Sequence, residues 1–372
     1  MSSRFARPIF GLLILAIGTW PLAAQKFQIQ YFYDHAKSTF VISDLNFPSA
    51  NRGVAVGVIN DGKRDEPMSV VTSDGGLHWQ NVPLKEAPIS LFFLNESLGW
   101  MVTAKGLWQT VEAGRAWTKL PKLPAEVFRV HFVDETHGWA IGPKKTALAT
   151  SDGGKTWTRL GAATAQADED IKYTSYNWIV GASPRDVLII GLNTPPRWYG
   201  PPVPDWMDPD ASLRQRQVPH SIYSLTTTDG GSTWKPSSAT FFGAIFRVRF
   251  GREGKGLELL KYAGTFRYPS EVQSFEWPGG TPHTVYRDSK FDVWDIWLAS
   301  DGTAYLAGTA VRGRMRGVIP EKVKVMSSKD LQNWTPIPVD YHAEANATIL
   351  AAAGDDNLWM ATDTGMILKL IR

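Results

Sequence analysis

The sequence predicts an all-β chain: a seven-bladed β-propeller of four-stranded antiparallel blades, with the last blade closed by an N-terminal strand. Three observations lead there. A short phrase recurs, its spacing is close to the length of one blade, and the stretches between copies read as short strands. The phrase stands at Thr72-Ser-Asp-Gly-Gly-Leu-His-Trp79, Thr150-Ser-Asp-Gly-Gly-Lys-Thr-Trp157 and Thr227-Thr-Asp-Gly-Gly-Ser-Thr-Trp234, with a worn copy at Thr110-Val-Glu-Ala-Gly-Arg-Ala-Trp117. A fainter echo is Ser327-Ser-Lys-Asp-Leu-Gln-Asn-Trp334, where the Asp has slipped by one place.

The closing tryptophans Trp79, Trp117, Trp157, Trp234 and Trp334 are separated by 38, 40, 77 and 100 residues. The basic period is therefore about 39 residues, near the roughly 40 to 45 of a propeller blade. On that ruler the third interval holds one repeat with an insertion. The fourth holds two repeats, one of which has lost its phrase.

Each part of the phrase has a mechanical role. Asp followed by Gly-Gly makes a tight turn between the third and fourth strands, with the glycines at positive φ and the carboxylate accepting backbone N–H bonds. The Trp then packs into the blade as an apolar anchor. Asp74, Asp152 and Asp229 are accordingly expected to hold turns rather than to bind metal or catalyse.

Within one unit the strand signals are Val127 to Val133, Gly138 to Gly142, Ala147 to Ser151 and Thr156 to Leu160, each rich in β-formers and bounded by turn residues. Extending the pattern places blade one at Phe40 to Leu84, two at Pro88 to Pro124 and three at Glu126 to Leu160. Blade four runs from Tyr173 to Ser238, five from Ala244 to Asp288 and six from Phe291 to Val339. The remainder, Thr348 to Arg372, supplies three strands and would leave an open edge, which natural sheets avoid. Phe27 to Tyr33 can supply the fourth strand and close the ring.

Composition agrees with one large folded unit. Of 372 residues, 43% are hydrophobic and 20% charged, so a sizeable core is available. Cysteine is absent, which excludes disulfides and lipid attachment through a thiol. The first 24 residues read as a signal peptide: Arg4 and Arg7, an apolar stretch from Ile9 to Trp20, and Leu22-Ala-Ala24 before Gln25. The apolar stretch is short of the roughly 20 residues that span a bilayer. The mature protein, residues 25–372, is expected to be exported to a periplasmic or extracellular space as a single domain. Net charge is +3, or +1 without Arg4 and Arg7, which argues against nucleic acid as a partner. Arg247 to Lys255 and Arg312 to Lys324 are locally basic.

Ten residues before the Trp of each Gly-Trp pair, or its counterpart, lies one residue per innermost strand: Asp44, Ser90, Arg129, Asn177, Arg247 and Asp295. These polar residues recur among apolar neighbours, so they are expected in or near the mouth of the central channel. Two places on stand Asn46, Phe92, His131, Ile179, Arg249 and Trp297. Arg129 with His131, and Arg247 with Arg249, would form a basic surface suited to a carboxylate, because guanidinium offers paired donors in a planar fork. The alternative is that these residues only solvate the channel and bridge blades to Asp44 and Asp295. The insertion of blade four, residues 193–220, holds seven prolines together with Trp198, Tyr199 and Trp206. A stiff loop with aromatics suits a partner contact, or else Trp198 and Trp206 fold back onto the blade.

The phrase resembles the Asp-box, or BNR, repeat of sialidases and related propellers. Gly99-Trp-Met-Val-Thr and Gly138-Trp-Ala-Ile-Gly precede it at similar distances, and together the two elements are similar to the photosystem II stability and assembly factors, the Ycf48/Hcf136 family. That resemblance implies a seven-bladed, exported, non-enzymatic factor holding a membrane-protein subunit, or its acidic tail, through a basic patch. Phe128-Arg129-Val130 and Phe246-Arg247-Val248 also invite comparison with the Arg-bearing strand of sialidases. The rest of a sialidase set is not assigned here, and no nucleotide loop, zinc pattern or nucleophile elbow is present. No cofactor, metal or catalytic residue is expected. The alternative function is a glycoside hydrolase, sialidase-like or xyloglucanase-like, or a carbohydrate-binding propeller. The expected state is a monomer.

Overall fold

Short apolar runs broken by Gly, Asp and Pro cannot make one wide sheet, and the chain folds them into separate small ones. The computed structural model describes residues 25–165, 171–194, 206–207, 220–262, 267–311, 322–341, 344–354 and 357–372. These form seven antiparallel four-stranded sheets, a seven-bladed β-propeller. Six blades use consecutive strands, within residues 39–83, 88–119, 129–159, 174–241, 244–287 and 291–337. The seventh joins Thr348–Ala352, Leu358–Thr362 and Met366–Ile371 to the N-terminal strand Lys26–Phe32. Lys26 pairs with Ile371, and the Phe27 N–H donates to the Pro338 carbonyl at 2.8 Å, so the closing strand also grips blade six.

The core is divided among the blade junctions. Seven apolar clusters fill them, one between each pair of neighbouring blades. Trp100 of blade two stacks on Phe132 of blade three at 3.7 Å, and Trp359 of blade seven on Phe47 of blade one at 4.1 Å. The Gly-Trp element follows from this packing. A Cβ at Gly138 would lie 2.5 Å from Phe132, so only glycine leaves room for the ring beside it.

The Asp-box turns are built as expected. Asp152 accepts from the Lys155 and Thr156 N–H groups at 3.0 and 2.9 Å and from the Thr156 hydroxyl at 2.6 Å. Thr150 donates to the same carboxylate at 2.8 Å, while Gly153 and Gly154 take φ of 78° and 92°. Asp74 and Asp229 repeat this cage. In the echo, Ser328 donates to Asp330 at 3.0 Å with the same spacing as Thr150 to Asp152. The slipped Asp keeps its place after the third strand, and the turn before Trp334 is one residue shorter.

Two expectations need correction. The Asp-box tryptophans are half-buried, and some reach beyond their own blade: Trp234 meets Trp139 of blade three edge-on at 5.5 Å, and Trp79 meets Trp359 of blade seven at 6.1 Å. Trp117 and Trp157 pack as expected into their own blades, meeting Phe93 and Phe132 at 6.2 Å each, while the Trp334 N–H reaches the Val285 carbonyl of blade five. The insertion is also narrower than 193–220, because Asn193 ends one strand and His220 begins the next. Residues 1–24, Trp198 and Tyr199 lie outside the described residues. Blade five has four regular strands without a box.

Antiparallel order sets two faces. The first-to-second and third-to-fourth turns share one end of each blade, and the box glycines confirm it: Gly75, Gly153 and Gly230 N–H donate to Asn51, Thr136 and Arg185 carbonyls at 3.0, 2.9 and 3.0 Å. This is the Asp-box face. The second-to-third connections and the links between blades lie on the opposite face.

Candidate functional site: a charged cluster in the channel

Bulges decide which side chains enter the channel. The innermost strands of blades one, two, four, five and six each carry one extra residue: Ser43, Ile89, Asn177, Phe246 and Trp294. Beyond each bulge the pairing resumes, and the equivalent positions are Asp44, Ser90, Arg129, Trp178, Arg247 and Asp295, opposite Val56, Val102, Ile141, Ile190, Leu259 and Ala307. The expected ring is therefore corrected at blade four. Asn177 is the exposed bulge residue, and Trp178 occupies the ring position.

Trp178 organises the cluster. Its N–H donates to the Val248 carbonyl of blade five at 3.0 Å, which fixes the indole. Three guanidinium carbons surround the ring, those of Arg129 at 4.3 Å, Arg247 at 4.7 Å and Arg249 at 5.3 Å from its centre. Cation–π attraction makes an indole a good platform for such groups. Arg249 also lies over Trp297 at 5.4 Å.

Two carboxylates face the three arginines. Arg129 Nη1 is 3.8 Å from Asp44, Arg249 Nη2 is 3.4 Å from Asp295, and Arg247 Nε is 3.6 Å from Asp295. Both acids are committed to the frame. Asp44 accepts the Leu45 and Leu91 N–H groups at 2.9 and 2.8 Å, and Asp295 accepts those of Ile296 and Leu350 at 2.9 Å each. The five side chains carry a net charge of +1.

Burial pulls the Arg247 guanidinium down to about 10; Asp295 opposes the shift and Arg129 and Arg249 reinforce it. Arg247 remains charged at neutral pH. Its Nε is buried without a hydrogen-bond partner among the described residues. Burial also lowers Arg129, with Asp44 acting against it. The group thus concentrates like charge, held in place but incompletely neutralised.

His131 does not belong to this basic surface. Its ring packs edge-on against Phe92 at 4.9 Å, and burial pushes its pKa down to about 4, so it is neutral at physiological pH. Ser90 donates to the Phe128 carbonyl at 2.7 Å and links blades two and three. Trp206, in the blade-four insertion, is 81% exposed and is not among the side chains of the apolar clusters on either side of blade four.

Three channel residues escaped the sequence reading: Trp178, Phe246 and Trp294. Lys261 joins them, bonded to Asp292 and to the Val293 carbonyl, with its ammonium 3.9 Å from the centre of a Trp294 ring. The signal for Trp178 lay in the second strand, where Leu188 stands opposite Val180 as Trp139 stands opposite His131, so ten places back from Leu188 is Trp178. Among the described residues no group of three or more His, Cys, Asp or Glu could hold a metal ion.

A closed ring of Asp-box blades around a charged channel defines the chain as an Asp-box β-propeller. Within that class it is similar to the photosystem II stability and assembly factors. The model of the family "Photosynthesis system II assembly factor YCF48" matches residues 122–191, which span blade three and the first half of blade four. The photosystem II stability/assembly factor HCF136 of Guillardia theta is 39% identical over 66 residues, covering 17% of this chain and 16% of the relative. That of Cyanidioschyzon merolae is 35% identical over 80 residues, covering 20% and 18%. The matched segment thus spans less than one fifth of those relatives. Among solved structures, YCF48 bound to D1 peptide superposes with a TM-score of 0.57 at 16% identity, over 93% of this chain and 100% of that one.

Proposed function

We propose that this chain is a non-enzymatic binding propeller that captures a protein segment by its carboxylate, with Arg129, Arg247 and Arg249 as the receiving groups. The supporting observation is the Trp178 cluster: three guanidiniums on one indole, with only Asp44 and Asp295 to offset them. A carboxylate would complete the neutralisation. The family resemblance supports a membrane-protein subunit, or its acidic tail, as the partner, since a similar propeller is known with a D1 peptide bound. Export by residues 1–24, and action in a periplasmic or extracellular space, belong to the same proposal.

The glycoside hydrolase reading needs two free carboxylates about 5 to 9.5 Å apart, one able to donate a proton. Asp44 and Asp295 each spend both oxygens on backbone N–H groups and face arginines, which suits them to holding charge.

The test is site-specific photocrosslinking in the protein's own cells. A photoreactive residue at Trp297, beside Arg249, is expected to trap a protein partner that disappears when Arg129, Arg247 and Arg249 are all replaced by Ala. An adduct that persists in the triple variant, or cleavage of sialosides or β-glucans at enzymatic rates, would overturn the proposal.

A further inference from the structure

At each blade junction two equivalent positions meet. One is the residue after the Gly of the Gly-Trp element, or its counterpart; the other pairs with that Gly on the first strand of the following blade. Trp100 and Phe132 fill them between blades two and three, and Trp359 and Phe47 between blades seven and one. Phe93, Trp139, Phe250 and Tyr305 each put one ring into four further junctions. The junction of blades five and six has a ring at neither position: Leu257 follows Gly256, and Leu298 stands opposite Ala304.

A cavity of about 750 Å³ lies at that junction, within the ~300–1,000 Å³ typical of ligand sites. It opens on the Asp-box face between the turns at Arg252, Asp301 and Leu331, with Phe275 and Leu298 as apolar walls. The turn of blade six has changed with it. Between blades two and three the Trp100 N–H donates to the Gly153 carbonyl at 3.2 Å, and between blades three and four a Cβ at Gly231 would lie 2.4 Å from Trp139. Blade six carries Leu331, at φ 60°, in the place of the first box glycine and lacks the second, the one that packs on an indole.

We infer that this cavity is a binding site for an aromatic side chain of a protein partner, an indole above all. The other junctions show what the place accepts: a flat ring beside the first strand of the next blade, its N–H toward a turn carbonyl, here that of Leu331. The charged residues of the lining, among them Arg252, Glu253, Lys255, Glu276 and Lys329, are all exposed, so the interior offers apolar carbon and backbone. A ring carried on uncharged peptide suits that interior. A free amino acid would bring an ammonium and a carboxylate that no buried charge is placed to receive.

The experiment is saturation-transfer NMR of the full chain with N-acetyl-L-tryptophanamide, an indole between two uncharged peptide groups, beside N-acetyl-L-leucinamide and free L-tryptophan. The indole amide is expected to bind at least tenfold more tightly than the leucine amide. Leu331→Asp sets a carboxylate in the wall at a backbone conformation that Asp tolerates, and should weaken the indole amide about tenfold or more. Leu257→Trp/Leu298→Phe rebuilds the ring pair seen between blades two and three and should abolish binding. Thermal unfolding checks that each variant is folded, and Leu331→Asp, on a partly exposed turn, carries the test if the double variant does not fold. The triple Arg→Ala channel variant should bind as wild type, which separates this site from capture of a carboxylate. Equal binding of the two amides, tighter binding of free L-tryptophan, undiminished binding by Leu331→Asp, or an equal loss in the channel variant would each overturn the inference.

Discussion

Asp44 and Asp295 make the same bond in two different blades. Each follows a bulge on an innermost strand, and each passes one carboxylate oxygen to the backbone N–H of the next blade, Leu91 at 2.8 Å and Leu350 at 2.9 Å. The difference is burial. Asp295 is fully buried and faces two arginines, whereas Asp44 is partly exposed and faces one at 3.8 Å. Removing one partner from a buried ion pair strands the rest, at a cost of about 3 to 5 kcal/mol. Asp295→Ala should therefore destabilise the protein by about that amount, and Asp44→Ala by about 1 to 3 kcal/mol. Urea unfolding checks the order; a larger loss for Asp44→Ala would contradict this account.

Trp178 holds a junction and a binding platform at once. Trp178→Phe keeps a ring for the guanidiniums but strands the Val248 carbonyl, and should lower stability by about 1 to 2 kcal/mol. Trp178→Leu removes the platform as well, so carboxylate binding should fall further than with Phe. Binding assays beside unfolding curves separate the two effects. Equal binding by the Phe and Leu variants would show that the ring contributes nothing to capture.

His131 makes stability depend on pH. Its folded pKa, about 4, lies below its ordinary 6.5, so the unfolded chain binds a proton over that window while the folded one does not. Its contribution is present above about pH 6.5 and is lost as pH falls toward 4. His131→Gln should flatten that part of the stability profile. An unchanged slope would mean the ring is already solvated.

The Asp-box carboxylates act in a lower window. N–H and hydroxyl donors hold Asp74 and Asp229 at about 2, below the ordinary 3.8. Their contribution is present above the ordinary value and disappears as pH falls through about 2. Asp74→Asn with Asp229→Asn should reduce the acid sensitivity of unfolding below pH ~4. Acid unfolding identical to wild type would remove these cages from the stability balance.

How far the sequence could be read follows from how the fold records itself. Blade number, blade boundaries and closure by residues near Phe27 were legible because turns and junction aromatics repeat at the blade period. Asp74, Asp152 and Asp229 were legible for the same reason, and even the slipped Asp330 keeps its bond. The channel was only half legible, since blade four has Val187-Leu188 where the Gly-Trp pair would fix the count. Counting back from Val187 rather than Leu188 reaches Asn177, one place beyond Trp178. His131 was legible in part: its place two residues after Arg129 follows from the spacing, whereas its packing against Phe92 does not.

The most direct test of carboxylate capture is calorimetric titration of a peptide with a free C-terminal carboxylate against its amidated twin. The account predicts binding of the free acid that falls at least tenfold on amidation and similarly in the Arg129→Ala/Arg247→Ala/Arg249→Ala variant, as expected when charge-assisted hydrogen bonds of about 1.5 to 3 kcal/mol are lost. Equal affinity for both peptides, or undiminished binding by the triple variant, would contradict it.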